Sequence, residues 1–256
     1  MKNIFASIVI LIMVLTSNAF GWGDKSETIT FKSYTVNTYR DFVDGLDGSP
    51  EVKISGKLII PESPDKVPAI IFLHDSSGPK DRNEYWLKAF RKMGIATFQP
   101  NSYKGRGVSP GNSAPSKVPS MNMVVDAYKA LEVLSNHPKI DATKVGVMGA
   151  CIGGVGSVMA AWEPVRKVMG ELKFAAHIAL YPLCVDYETL DMTGAPILTL
   201  AGGKDMWMPA STCSDLGIRL RAIGYPIKNV IYPEASHLFD ALYSNKYVYV
   251  PSLSDC

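Results

Sequence analysis

The sequence predicts an α/β fold in which a mostly parallel central sheet carries helices on both faces. Three observations predict it. Strand-like and helix-like segments alternate along the chain, as they do when helices connect parallel strands. Residues 69–73, AIIFL, form a continuous apolar run, the pattern of a strand covered on both faces. The residues best suited to chemistry follow strand-like segments directly, and sheets of this type gather their chemistry in those loops.

Residues 28–36 and 52–60 read as two strands forming a hairpin pair, and Pro61, Pro64 and Pro68 punctuate a turn region after them. Residues 69–73 are then a buried strand, 84–93 a helix and 94–98 a strand. Residues 121–135 read as a helix with Val124, Val125, Tyr128, Leu131 and Leu134 on one face. Residues 144–148 are a strand, 152–161 a helix of small residues, and 174–180, 196–200 and 228–231 three further strands. No repeat, low-complexity tract or linker interrupts the series, so residues 20–256 are expected to form a single domain.

The chain has 256 residues, 47% hydrophobic and 20% charged. That composition supports a large core and argues against disorder. The net charge is +2 and the basic residues are scattered, which gives no footing for nucleic acid or an anionic membrane surface. The first residues differ from the rest. Lys2 precedes an apolar stretch over residues 4–15, and Ser17-Asn18-Ala19 supplies small residues for cleavage. Twelve apolar residues are too few for a membrane-spanning helix. The expectation is a cleaved secretory signal over residues 1–19 and an exported chain, periplasmic or secreted, with no membrane attachment after cleavage.

The strongest motif is Gly149-Ala150-Cys151-Ile152-Gly153, followed by Gly154, between a strand and a helix. A nucleophile held on a sharp strand-to-helix turn has a strained backbone, and its neighbours two residues away are crowded enough to favour glycine. The helix that follows points its N-terminus at the site, which favours a thiolate and a developing oxyanion. Ile152 N–H is then one candidate oxyanion donor. Standing alone, the pentapeptide could equally be a phosphate-binding turn or a buried cysteine.

Partners for Cys151 come later in the chain. Residues 196–205, PILTLAGGKD, are a strand, a glycine turn and Asp205; residues 231–237, IYPEASH, are a strand and loop ending at His237. The order nucleophile, acid, histidine is the one this kind of sheet uses. Asp205 could instead cap the helix after Pro209, and Asp186, Asp191 and Asp240 compete for the acid role without closing an apolar strand. Among the other histidines, His137 reads as a surface cap and His177 as a core residue. His74 follows a strand and is the serious rival, although it precedes the cysteine.

Together these motifs resemble the dienelactone hydrolase family of α/β-hydrolases, over residues 50–240. Leu73-His74-Asp75-Ser76-Ser77-Gly78 is similar to the family's first oxyanion loop. Asn101-Ser102-Tyr103-Lys104-Gly105-Arg106-Gly107 is similar to its D-S-F-x-x-R-G loop, with Asn101 in place of aspartate. Gly149–Gly154 resembles the elbow of its cysteine members, and Gly203-Lys204-Asp205 and residues 232–240 resemble its acid and histidine loops. The resemblance implies a Cys151-His237-Asp205 triad with an oxyanion hole from the Ser76 and Ile152 N–H groups. It implies a contact between Asp75 and the resting cysteine, although aspartate is shorter than the family's glutamate. Arg106 is left with two roles, holding an acidic substrate group or bracing its loop. A final helix common in the family is missing or replaced by an irregular tail over residues 246–256.

Four cysteines follow the apolar leader, and sequence alone allows three pairings. Exported proteins similar to this one carry a pair in Y-P-x-C and after the acid, which implies a Cys184–Cys213 disulfide and leaves Cys256 over. The reading as a whole is a hydrolase of small-molecule carboxylic esters or lactones, working through a thioester and needing no metal or organic cofactor. A hydrolase-fold protein that only binds its ligand is the alternative. A thiol redox protein would need a C-x-x-C, which the chain lacks. A serine esterase with its nucleophile exchanged for cysteine would look identical in sequence.

Overall fold

The computed structural model describes residues 24–80, 83–111 and 113–241. The leader, the tail and Cys256 lie outside these residues. Eight strands form one sheet: β1 (Lys25–Tyr34), β2 (Glu51–Ile60), β3 (Val67–Leu73), β4 (Ala96–Pro100), β5 (Ile140–Ala150), β6 (His177–Leu180), β7 (Ile197–Gly202) and β8 (Ile227–Tyr232). Their order is β1-β2-β4-β3-β5-β6-β7-β8. β1 pairs antiparallel with β2 and β2 with β4; every other pairing is parallel. The α-helices among the described residues are α1 (Tyr39–Val43), α2 (Glu84–Lys92), α3 (Ala114–Lys117), α4 (Ser120–Ser135), α5 (Ile152–Met159), α6 (Glu163–Met169) and α7 (Ala210–Ala222). None of the helices among the described residues is long and apolar enough to cross a membrane.

Burial follows position in the sheet. β1, at the edge, is mostly exposed. β3 is buried almost throughout, as its apolar run demands. α4 buries 11 of its residues, including Asn122 and Asp126, both fully enclosed. Asn122 stays satisfied there by exchanging two hydrogen bonds with the backbone of Val36.

Three boundaries differ from the sequence expectation for identifiable reasons. Pro68 lies inside β3 rather than in the preceding turn, at the point where register shifts between Val67 and Ala69. A proline there forfeits no ladder bond. β5 begins at Ile140 instead of residue 144, because Ile140 pairs with Val67 ahead of the register shift; in between, Asp141 folds its carboxylate onto Thr143. β6 starts only at His177; ahead of it Ala175 N–H already bonds to Val145 O outside the regular ladder.

Candidate active site

Cys151 sits between β5 and α5 with φ 55° and ψ −119°, left-handed backbone that a residue with a Cβ rarely adopts. The flanking glycines explain how the turn is held. A Cβ on Gly149 would lie 2.0 Å from Gly153 O, and one on Gly153 would lie 2.3 Å from Leu73 O. The turn therefore closes on itself and on β3 at distances that only glycine permits. Cys151 N–H bonds to Leu180 O at 3.0 Å, which pins the nucleophile candidate to the end of β6. The thiol is buried and takes no part in a disulfide. Ile152 opens α5, so its N–H has no acceptor within the helix.

The loop after β3 is organised by Asp75, which is buried. Its Oδ1 accepts from Ser77 N–H at 2.6 Å and its backbone oxygen from Gly78 N–H at 3.0 Å. The two amides after Ser76 are thus turned inward. Ser76 itself is half-buried, and its N–H has no acceptor among the described residues.

Asp205 follows β7 and His237 follows β8, and the two meet. His237 Nδ1 donates to Asp205 Oδ2 at 2.6 Å, with the aspartate side chain fully buried. The other carboxylate oxygen, Oδ1, accepts from Trp207 and Met208 N–H, both at 2.9 Å. Asp205 is therefore not the cap of α7, whose N-cap is Pro209. His237 Nε2 is buried and has no hydrogen-bond partner among the described residues. Aromatic rings hold the imidazole: Tyr181 edge-on at 4.8 Å and Trp207 at 5.2 Å. Tyr181 directly follows Leu180, whose carbonyl holds Cys151, so one short segment links the cysteine to the histidine. Asp240, three residues on, accepts from Trp86 Nε1 at 2.6 Å and anchors the histidine loop to α2.

The rival histidine is a structural residue. His74 is buried; Nδ1 donates to Asp75 O at 2.7 Å and Nε2 accepts from Ser102 N–H at 3.2 Å. Burial lowers its pKa to about 4, against a smaller opposing pull from Asp126. His177 is likewise buried, is hydrogen-bonded to Ser157 O, and is lowered to about 4 by burial. His137 is half-buried and contacts Glu27.

Of the two roles open to Arg106, its contacts fit bracing. Nε donates to Thr35 Oγ1, Nη1 to Ser102 O and Asp126 Oδ2, and Nη2 to Tyr34 O and Asp126 Oδ1. These contacts engage all five guanidinium N–H groups. The ion pair is enclosed, with side chains 4% and 0% exposed. It ties β1, the loop after β4 and α4 together. Sequence reasoning missed Asp126; its signal was an acidic residue inside the largely apolar MNMVVDA. Tyr181 and Trp207 carried no signal, because they reach His237 only through tertiary packing.

Cys184 and Cys213 are disulfide-bonded, with Cα atoms 4.9 Å apart. The bond ties the loop after β6, which also carries Tyr181, to the first turn of α7, just beyond Asp205.

The dienelactone hydrolase family model matches residues 54–252. A Yersinia pestis protein named "Putative carboxymethylenebutenolidase" is 27% identical over 199 residues, 70% of this chain and 71% of that protein. Among solved structures, a "Putative Dienelactone Hydrolase" from Klebsiella pneumoniae superposes with a TM-score of 0.61 at 21% identity, covering 90% of this chain and 95% of the other. Thermogutta terrifontis esterase 2 superposes with a TM-score of 0.61 at 16% identity, over 76% and 83%. At those identities the two structures speak for the fold, while the family match spans most of the chain. The chain belongs to the dienelactone hydrolase family, hydrolases built on an α/β sheet.

Proposed function

We propose that the protein hydrolyses a small carboxylic ester or lactone through Cys151, His237 and Asp205, by way of a thioester. The observation that carries this reading is the 2.6 Å bond from His237 Nδ1 to the buried Asp205. It fixes the tautomer whose Nε2 lone pair can take a proton, and that Nε2 is buried with no other partner among the described residues. Cys151, on its strained turn, stands at the same sheet edge.

In this reading His237 Nε2 takes the proton from Cys151 Sγ, and the thiolate attacks the carbonyl carbon. The oxyanion is met by the N–H groups of Ile152 and Ser76. The tetrahedral intermediate collapses to a thioester as His237 returns the proton to the departing alkoxide. His237 then takes a proton from water, the hydroxide attacks the thioester, and the acid leaves with the thiol restored. Asp205 holds the imidazole and stabilises its charged form. Asp75 shapes the oxyanion loop through Ser77, and Arg106 contributes by bracing.

The substrate class draws on the relatives named as a carboxymethylenebutenolidase and as an esterase. Location belongs to the same proposal. The Cys184–Cys213 disulfide suits an oxidising compartment, and residues 1–19 have the make-up of a secretory signal. Export of a single domain over residues 20–256 follows. The test is hydrolysis of p-nitrophenyl acetate and of a dienelactone by the mature protein beside its Cys151→Ala variant. Turnover abolished by the substitution supports the reading; turnover that survives it overturns the nucleophile assignment. Cys151→Ser, expected to lose activity, separates a native cysteine enzyme from an altered serine one, which would gain it.

A further inference from the structure

His74 is 1% exposed, and both of its ring nitrogens are engaged. Nδ1 meets Asp75 O at 2.7 Å, and Nε2 meets Ser102 N–H at 3.2 Å. A carbonyl only accepts and an amide N–H only donates. The two contacts therefore fix one neutral tautomer, with the proton on Nδ1 and none on Nε2. Burial keeps the ring neutral above about pH 4, and Tyr103 stands edge-on to it at 4.5 Å. Its single N–H is aimed at a single carbonyl.

That carbonyl matters because of what shares its peptide plane. Asp75 O and Ser76 N–H belong to one peptide unit. No peptide among the described residues is cis, so the two groups point in opposite directions. Asp75 O is held by His74 Nδ1–H and by Gly78 N–H at 3.0 Å. Pinning the oxygen pins the Ser76 N–H on the other side of the plane. The backbone leading into this unit lies directly on the elbow. A Cβ on Gly153 would come within 2.3 Å of Leu73 O and 2.6 Å of His74 O. Ile152 and Ser76 thus lie on two backbones packed against each other.

We propose that His74 is a positioning residue for the oxyanion hole: its Nδ1–H holds the Asp75 carbonyl and thereby aims the Ser76 N–H. The inference rests on the proposed hydrolysis at Cys151, with Ser76 N–H as an oxyanion donor. Gly78 alone would not serve, because it belongs to the same turn and moves with it. The His74 ring is tied elsewhere. Ser102 N–H holds its far nitrogen, and Arg106 Nη1 holds Ser102 O. The loop after β4 and the enclosed Arg106–Asp126 pair become the fixed frame for the donor. An oxyanion donor stabilises a transition state only when it is already in place.

The two ring contacts are removable one at a time. His74→Gln carries an amide near the Nε2 position, which keeps an acceptor for Ser102 N–H and loses the donor to Asp75 O. His74→Asn carries an NH2 near the Nδ1 position, which keeps that donor and loses the Ser102 contact. The full mature chain is used in a Cys256→Ser background so that one thiol reports. Three quantities are measured: kcat and KM on p-nitrophenyl acetate, the thermal transition, and the rate of Cys151 alkylation by iodoacetamide, a displacement that builds no oxyanion. His74→Gln is expected to lower kcat about 10- to 100-fold, with KM and alkylation nearly unchanged. His74→Asn should melt earlier yet keep kcat near the wild-type value. A histidine that only supports the fold would make kcat follow stability in both variants and slow alkylation alike. That pattern, wild-type kcat in His74→Gln, or lost kcat in folded His74→Asn overturns the proposal. A further measurement uses the unaltered ring. With 15N-labelled histidine, His74 should show a protonated Nδ1 and a bare Nε2; the opposite tautomer overturns the proposal independently. Hydrolysis that survives Cys151→Ala would instead sink the nucleophile reading, so the two failures are told apart.

Discussion

Asp205 divides its carboxylate between two tasks: Oδ2 receives His237 Nδ1 at 2.6 Å, while Oδ1 receives the N–H groups of Trp207 and Met208. One residue thereby fixes both the imidazole and the loop that carries Trp207 against it. Asp205→Asn should keep the loop, since the amide oxygen can still accept from the two N–H groups. Its NH2 group would face His237 and favour the wrong tautomer. The expected result is a fall in kcat of about 10³- to 10⁴-fold, with a nearly unchanged thermal transition. Asp205→Ala, which also releases the loop, should lose stability as well as activity. Steady-state hydrolysis and a thermal melt on both variants separate the two tasks.

The elbow depends on the absence of two side chains. Gly153→Ala places a methyl 2.3 Å from the Leu73 carbonyl oxygen, and backbone on both sides cannot give way. The expected loss is on the order of 3 kcal/mol or more, together with activity. Gly48→Ala is the control: its positive φ strains an alanine, but nothing lies within 4 Å, so the loss should stay near 1 kcal/mol. Urea denaturation of the two variants decides it. Equal losses would mean that the close approach at Gly153 costs no more than the backbone strain at Gly48.

The sequence made the sheet, the elbow and the order of Cys151, Asp205 and His237 legible because each rests on local pattern. The apolar run of β3, the glycines two residues either side of Cys151 and the strand-then-loop contexts of Asp205 and His237 all operate within a few residues. What stayed hidden is non-local. Asp126 meets Arg106 across 20 residues, Trp86 meets Asp240 across 154, and Tyr181 meets His237 through packing alone. His74 illustrates the limit most clearly. Its position after a strand made it a rival base, and only the backbone groups on both its nitrogens settle it as structural.

Arg106 and Asp126 form an enclosed pair, so removing one partner leaves the other charge buried. Arg106→Ala should cost about 3 to 5 kcal/mol, seen as a lowered urea midpoint. The double variant Arg106→Met, Asp126→Leu should recover much of that loss, because no unpaired charge remains. Were Arg106 instead a substrate-holding residue, the single change would raise KM for an anionic lactone selectively while leaving stability alone.

The disulfide closes a loop with a sequence separation of 29, for which chain entropy suggests roughly 3.5 kcal/mol. It joins the segment carrying Tyr181 to the helix that follows Asp205. Reduction, or Cys184→Ser with Cys213→Ser, should lower the thermal transition clearly. It should also weaken activity, since both anchors of His237 are loosened. A double variant with wild-type stability and kcat would show the bond to be dispensable to the site.

Two buried histidines give the fold an acid-side weakness. His74 and His177 are both lowered to about 4 in the folded protein, chiefly by burial, and return to about 6.5 when unfolded. The folded state therefore binds fewer protons than the unfolded state between those values, and stability falls with pH across that window. Above about pH 6.5 their full contribution is present; below about pH 4 no more is lost from this source. At pH 5 the loss should be roughly 2 kcal/mol for each histidine. Urea midpoints measured at pH 7.5, 6 and 5 should decline, and the decline should be about halved in His177→Gln, which cannot charge. A midpoint flat across that range would mean that neither imidazole resists protonation as its burial requires.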